Sequence, residues 1–197
     1  MSHKAQPTGA TTIDIDLPKP LVIVVMGVSG SGKSTIAEVL AERLGCRLLE
    51  GDDFHPSRNV EKMAMGIPLT DEDRWPWLDL IGQELSLTRS RGERLVATCS
   101  ALRKSYRERL RQYGGTSICF LFLKSDRFTL QQRIDQRGGH FMPSSLLATQ
   151  LALLEEPTFE RDVTTVDVSL GLAAAVELAI GKLSLIWNNQ AQASRNQ

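Results

Sequence analysis

Residues Gly27-Val28-Ser29-Gly30-Ser31-Gly32-Lys33-Ser34 fit the pattern G-x-x-x-x-G-K-[ST]. Glycines at that spacing let the backbone curl until several N–H groups face one point, and the positive end of a following helix adds to the attraction for an anion. Lys33 can then reach the β- and γ-phosphates of a nucleotide, the Ser34 hydroxyl can ligate Mg²⁺, and Thr35 follows in the same turn. A second group of residues could act on a phosphate so held. In Glu50-x-Asp52, Asp52 suits the task of orienting an alcohol and accepting its proton, while Glu50 could help hold the metal through water. Arg133 and Arg137 are spaced i, i+4 on one helix face, directly before Gly138-Gly139. Such arginines could clamp the β/γ-phosphates when a covering segment closes and excludes water.

These residues need a scaffold that brings them to one place. Leu21 to Met26 is an apolar run ahead of the glycine loop, and Ile36, Val39, Leu40 and Leu44 recur at helical spacing after it, with Gly45 as a stop. Short strands are predicted at Arg47–Glu50, Arg94–Cys99, Ile118–Leu123 and Val163–Val168, alternating with helices. That alternation predicts an α/β fold, a parallel sheet with helices on both faces, in which ligands gather at the carboxyl ends of the strands. Between Asp53 and about Trp75 a small helical insertion is expected. Asn59 can cap one short helix that Gly66 ends, and Thr70 with Asp73 has the spacing of a capping box. Pro76 argues against one unbroken helix from Thr70; a restart there would place Leu78, Ile81 and Leu85 on one face. Leu146, Leu147, Gln150, Leu151 and Leu154 form a later helix, and Leu172 to Ile186 closes the domain. The expected organisation is one domain over 20–187, with a lid at about 137–145 and flexible tails at 1–19 and 188–197.

Composition narrows the partners. The 197 residues are 42% hydrophobic and 23% charged, and 23 basic residues balance 23 acidic ones. No overall field favours nucleic acid or a membrane surface, so any cationic site is local. Cys46, Cys99 and Cys119 are widely spaced without a C-x-x-C pair. This speaks against a disulfide framework and for a reducing, cytoplasmic setting. Cys99 and Cys119 are expected as small core residues. The signatures of a GTPase switch are absent in usable form: Asp79-Leu80-Ile81-Gly82 lies in a helical stretch with no strand before it, and Leu123 precedes Lys124-Ser125-Asp126 where Asn or Thr is needed.

Four stretches together carry a resemblance. They are Met26 to Ser34; Gly51-Asp52 with His55-Pro56, Arg58-Asn59 and Glu61-Lys62-Met63; Gly66 to Asp71 with Asp73-Arg74 and Pro76-Trp77-Leu78; and Cys99 to Lys104 with Tyr106-Arg107, followed by Arg137 and Gly139-His140-Phe141. With these the chain resembles the gluconokinases, small P-loop kinases that phosphorylate D-gluconate at its 6-hydroxyl with ATP. The resemblance covers about residues 21–185. It implies a five-stranded parallel sheet like that of shikimate and adenylate kinases, ATP and Mg²⁺ as cofactors, and a homodimer. It also implies an acceptor site in which Asp52 addresses the 6-hydroxyl. Gluconate is a carboxylate bearing hydroxyls, so cations should meet it. His55, Arg58, Lys62, Arg74, Arg103 and His140 are the candidates, unranked, and His55 could instead brace the insertion. Lys104, Arg107 and Arg111 could be a solvated helix face.

Two departures stand out. Glu50 takes the place of an Asp that many relatives have, and the third strand ends in Cys99-Ser100 rather than an acidic residue. Mg²⁺ would thus depend on Ser34, phosphates, water and the carboxylates after the second strand. The sequence also admits two other readings: a kinase for a related acid, shikimate or another sugar acid, and a non-catalytic nucleotide-dependent regulatory module.

Overall fold

The computed structural model describes residues 20–136 and 145–195. In chain order the elements are β1 (Leu21–Met26), α1 (Lys33–Leu44), β2 (Arg47–Leu49), α2 (Ser57–Ala64), α3 (Asp71–Ser90), β3 (Arg94–Thr98), α4 (Lys104–Gly114), β4 (Ile118–Lys124), α5 (Arg127–Gln136), α6 (Ser145–Leu153), β5 (Val163–Asp167) and α7 (Leu172–Arg195). The strands form one five-stranded parallel sheet in the order β2-β3-β1-β4-β5. β1 is central: Val24 lies beside Ala97 of β3 on one side and Phe120 of β4 on the other.

Side chains on a strand alternate between faces, and β1 uses both. Leu21, Ile23 and Val25 join Ile36, Leu40, Val176 and Leu183 from α1 and α7. Val22, Val24 and Met26 join Leu78, Ile81, Leu85 and Leu110 from α3 and α4. At about 1.5–3 kcal/mol for each fully buried aliphatic side chain, these two layers are the main support of the fold. A third cluster, Val28, Leu102, Leu130 and Leu147, ties the glycine loop to the loop after β3 and to α5 and α6. Cys99 and Cys119 are buried core residues, and burial pushes the Cys99 thiol up to about 12.

Several local expectations need correction. α3 is one helix through Pro76. The missing N–H and ring of an interior proline cost about 3 kcal/mol, and burial of Trp77, Leu78, Ile81 and Leu85 along the same helix offsets that. The predicted capping box does form: Thr70 Oγ1 accepts the Asp73 N–H at 3.3 Å and the Asp73 carboxylate accepts the Thr70 N–H at 2.9 Å. Asn59 is not a cap. Pro56 precedes α2, and the buried Asn59 donates instead to the Asp73 carbonyl at 2.8 Å, joining α2 to α3. Gly66, at φ 71, ends α2 as expected, with its N–H on Met63 O and the Ile67 N–H on Lys62 O.

Arg107 and Arg111 are not a solvated face. Arg107 is 1% exposed and donates to the carbonyls of Ala101, Leu102 and Glu155 and to the Glu160 carboxylate; Arg111 meets Glu160 and Asp162. Helix α7 runs past Ile186 to Arg195, since the alanines and glutamines after Asn188 sustain a helix once it is started. The expected N-terminal tail and all of the expected lid except Ser145 lie outside the described residues.

Candidate active site

The carboxyl end of β1 opens into the glycine loop, and its backbone requires its glycines. Gly27, Gly30 and Gly32 have φ of 147, 82 and 88, where side chains are strained. A Cβ on Gly30 would stand 2.9 Å from the Leu130 carbonyl and 3.0 Å from Ile134, so α5 packs directly on the loop. The Gly27 N–H donates to Ser100 O at 3.3 Å, fastening the loop to the turn after β3. Lys33 opens α1, and its Nζ donates to Val28 O at 3.2 Å, holding the ammonium over the loop.

β2 delivers Asp52 through a tightly held residue. The Gly51 N–H donates to Thr98 Oγ1 at 3.0 Å, and Gly51 O accepts from Trp77 Nε1 at 2.7 Å. A Cβ at Gly51 would lie 2.0 Å from the Thr98 carbonyl, so only glycine fits. The Thr98 hydroxyl in turn donates to Glu50, whose carboxylate is thereby drawn toward β3. Asp52 keeps a half-exposed side chain in a cavity it shares with Ser29, Lys33, His55, Arg74 and Ser100.

His55 stacks on Trp77 at 4.2 Å between ring centroids, and its side chain is 5% exposed. Burial lowers its pKa to about 4; nearby Arg74 pushes the same way and Asp52 opposes. The ring is therefore neutral near pH 7 and offers hydrogen bonds rather than charge. Arg74, 8% exposed, donates to the Tyr106 hydroxyl at 3.1 Å. That hydroxyl donates to Asp71, which also pairs with Arg103 at 2.7 Å. The chain of contacts fixes one guanidinium in the cavity wall.

Of the sequence candidates, the fold brings together Ser29, Lys33, Asp52, His55 and Arg74. Others are placed elsewhere. Lys62 is bound to Asp73 at 2.6 Å, which holds the Asp73 carboxyl down at about 2. Arg103 is occupied by Asp71, and Arg58 is exposed on α2. Arg133 donates to Val168 O at 2.9 Å and lines a second cavity, on the other side of the loop, with Gly30, Thr35, Gly171 and Leu172. Arg137 and His140 lie outside the described residues. Trp77, Ser100, Thr149 and Gln150 line the first cavity without having been singled out for it. Gln150 had a signal, standing with Thr149 as a polar pair among the leucines of α6.

Among the described residues no group of three or more His, Cys, Asp or Glu could cage a metal. By donor type the Ser34 hydroxyl and the carboxylates of Glu50 and Asp52 suit Mg²⁺ carried largely by phosphates and water, and the Glu50 carboxylate is already engaged by Thr98.

A parallel sheet with a phosphate loop at its centre, a cavity on each side of that loop and a carboxylate near its lysine define a P-loop kinase, a phosphotransferase. The AAA domain family matches residues 22–157. The chain belongs to the gluconokinase family. It is 51% identical over 150 residues to the gluconokinase of Gluconobacter oxydans, covering 75% of this chain and 83% of that one. To the thermosensitive gluconokinase of Escherichia coli it is 41% identical over 155 residues, 78% of this chain and 82% of the relative. The crystal structure of a gluconokinase from Sinorhizobium meliloti 1021 superposes with a TM-score of 0.82 at 48% identity, covering 90% of this chain and 99% of that one.

Proposed function

We propose that the chain transfers the γ-phosphoryl group of ATP to the 6-hydroxyl of D-gluconate, giving 6-phospho-D-gluconate and ADP. The observation that carries this reading is the acceptor cavity itself, where Asp52, neutral His55 and buried Arg74 surround the approach to Lys33. Arg74 anchors the carboxylate of the acid, because a guanidinium already fixed by Tyr106 loses little freedom on binding it. His55 reads a hydroxyl. Asp52 takes the proton of the 6-hydroxyl as that oxygen bonds to the γ-phosphorus and the bond to the ADP oxygen breaks. Loop N–H groups and Lys33 hold the phosphates. Ser34, with Glu50 through water, would hold Mg²⁺, which when bound offsets phosphate charge. Arg133, which lines the second cavity beside Gly30 and Thr35, keeps its assignment to ATP. Arg137 and His140 keep their sequence assignments to phosphate and acceptor.

We also read the chain as a cytoplasmic homodimer. Its cysteines are free, and no helix among the described residues is long and apolar enough to cross a membrane. Light scattering on the purified protein checks the dimer.

The test is ADP release with Mg-ATP, with and without D-gluconate, alongside shikimate, idonate and glycerate. Turnover with gluconate is expected; turnover with another of these acids alone overturns the acceptor. Asp52→Asn is expected to lower kcat by about a hundredfold or more while ATP affinity is kept. A near-normal kcat removes Asp52 from the proton-accepting role.

A further inference from the structure

Helix α6 meets the phosphate loop through a side chain with no part in the chemistry above. Gln150 Oε1 accepts the Ser29 N–H at 2.7 Å, and Gln150 Nε2 donates to Ser29 Oγ at 3.1 Å. Two bonds from one planar carboxamide to one residue fix both the direction of the loop amide and the rotamer of the hydroxyl. Gln150 and Ser29 line the acceptor cavity beside Lys33 and Asp52.

The helix that carries Gln150 is itself held. Its Leu147 packs in the cluster with Val28 of the phosphate loop and Leu102 of the turn after β3. Beyond its last turn, the Glu155 N–H donates to Leu102 O at 2.9 Å, the Glu155 carboxylate accepts the Lys104 N–H at 2.7 Å, and Arg107 donates to Glu155 O at 3.1 Å. α6 thus bridges the loop that holds phosphate and the turn that borders the acceptor. Packing alone would have been served by another leucine, as at Leu147, Leu151 and Leu154. Charge would have been harmful: a carboxylate repels phosphate, and a cation competes with Lys33 for it. A neutral amide orients the loop without either effect.

We propose that Gln150 is a positioning residue for the transfer step. By holding Ser29 it makes the mouth of the phosphate loop and α6 a single body, so the acceptor beside α6 meets the γ-phosphate in line. It acts through Ser29, and the proposal rests on the kinase reading above. Rate is the sensitive readout, because a shift of about 1 Å in a reacting pair can cost about a hundredfold.

The experiment compares the full chain with Gln150→Leu and Gln150→Ala, which remove both bonds with and without an apolar replacement. Thermal unfolding, Mg-ATP affinity by calorimetry, kcat, phosphate released per sugar phosphate formed, and hydrogen exchange over residues 28–33 are measured. Expected are an unchanged Tm, ATP affinity within about threefold, kcat lower by about 10–100-fold, and a higher ratio of hydrolysis to transfer as water gains access. Loop exchange should be faster in both variants. Wild-type kcat and ratio in Gln150→Leu overturn the proposal. So does a loss of kcat matched by ATP affinity or Tm at an unchanged ratio, which makes Gln150 a nucleotide-binding or packing residue. Unaltered loop exchange overturns it whatever the acceptor. Should the wild-type chain use another sugar acid, only the gluconate assignment falls, and the ratio is read with that acid.

Discussion

Asp52 and His55 line the same cavity, one half-exposed and the other pressed onto Trp77. The consequence for pH is specific to His55. Its folded pKa of about 4 lies below the ordinary value of 6.5, so the unfolded chain takes up a proton that the folded one refuses. Stability from this residue is complete above pH 6.5 and is lost as pH falls from there toward 4, amounting to at most about 3 kcal/mol. Urea unfolding at pH 7 and pH 5 should show the loss in wild type, and His55→Gln should flatten it. An equal slope in the variant assigns the effect to other groups. Lys33 and Asp52 were legible in the sequence because a motif and a strand end announce them. The neutrality of His55 was not, since it comes from Trp77 on another element. Nor was the cavity that Arg133 lines, which depends on its bond to Val168 just past the end of β5.

At the scale of elements, hydrophobic runs and glycine stops were enough to place the strands and the helices between them. They do not reveal that α3 is unbroken, because the local cost of Pro76 is outweighed by a buried face that only the fold supplies. The sequence also shows Gly51-Asp52 as a pair without saying why the glycine is needed. The reason is the contact with Thr98, and it yields a prediction. Gly51→Ala should destabilise the fold by about 1–3 kcal/mol by overpacking and should also lower kcat, because the strand end that aims Asp52 must shift. Urea unfolding and steady-state kinetics on the same preparation check both. A stable variant with normal kcat would show that the β2–β3 contact relaxes without moving Asp52.

Across the whole molecule, Arg107 joins parts that are distant in the chain: the turn after β3, the exit of α6 and the approach to β5. Replacing it with Met leaves Glu160 half-paired and three carbonyls without their donor, and should cost about 3–5 kcal/mol, read from urea unfolding. A loss below about 1 kcal/mol would reduce it to the weight of a surface pair. The sequence could not reveal this joint, because a basic helix reads the same whether its arginines meet water or carbonyls. The phosphate loop is likewise shared, with Ser29 and Lys33 facing one cavity and Gly30, Gly32 and Thr35 facing the other. A ligand long enough to pass the loop would fill both. Adenosine tethered through a polyphosphate to a polyhydroxy acid should bind at least about a hundredfold more tightly than ATP, since its second half docks at high effective concentration. Calorimetry with tethers of graded length would then measure the span between the two cavities, and the tightest-binding tether would serve as an inhibitor that neither ATP nor the acid alone can resemble.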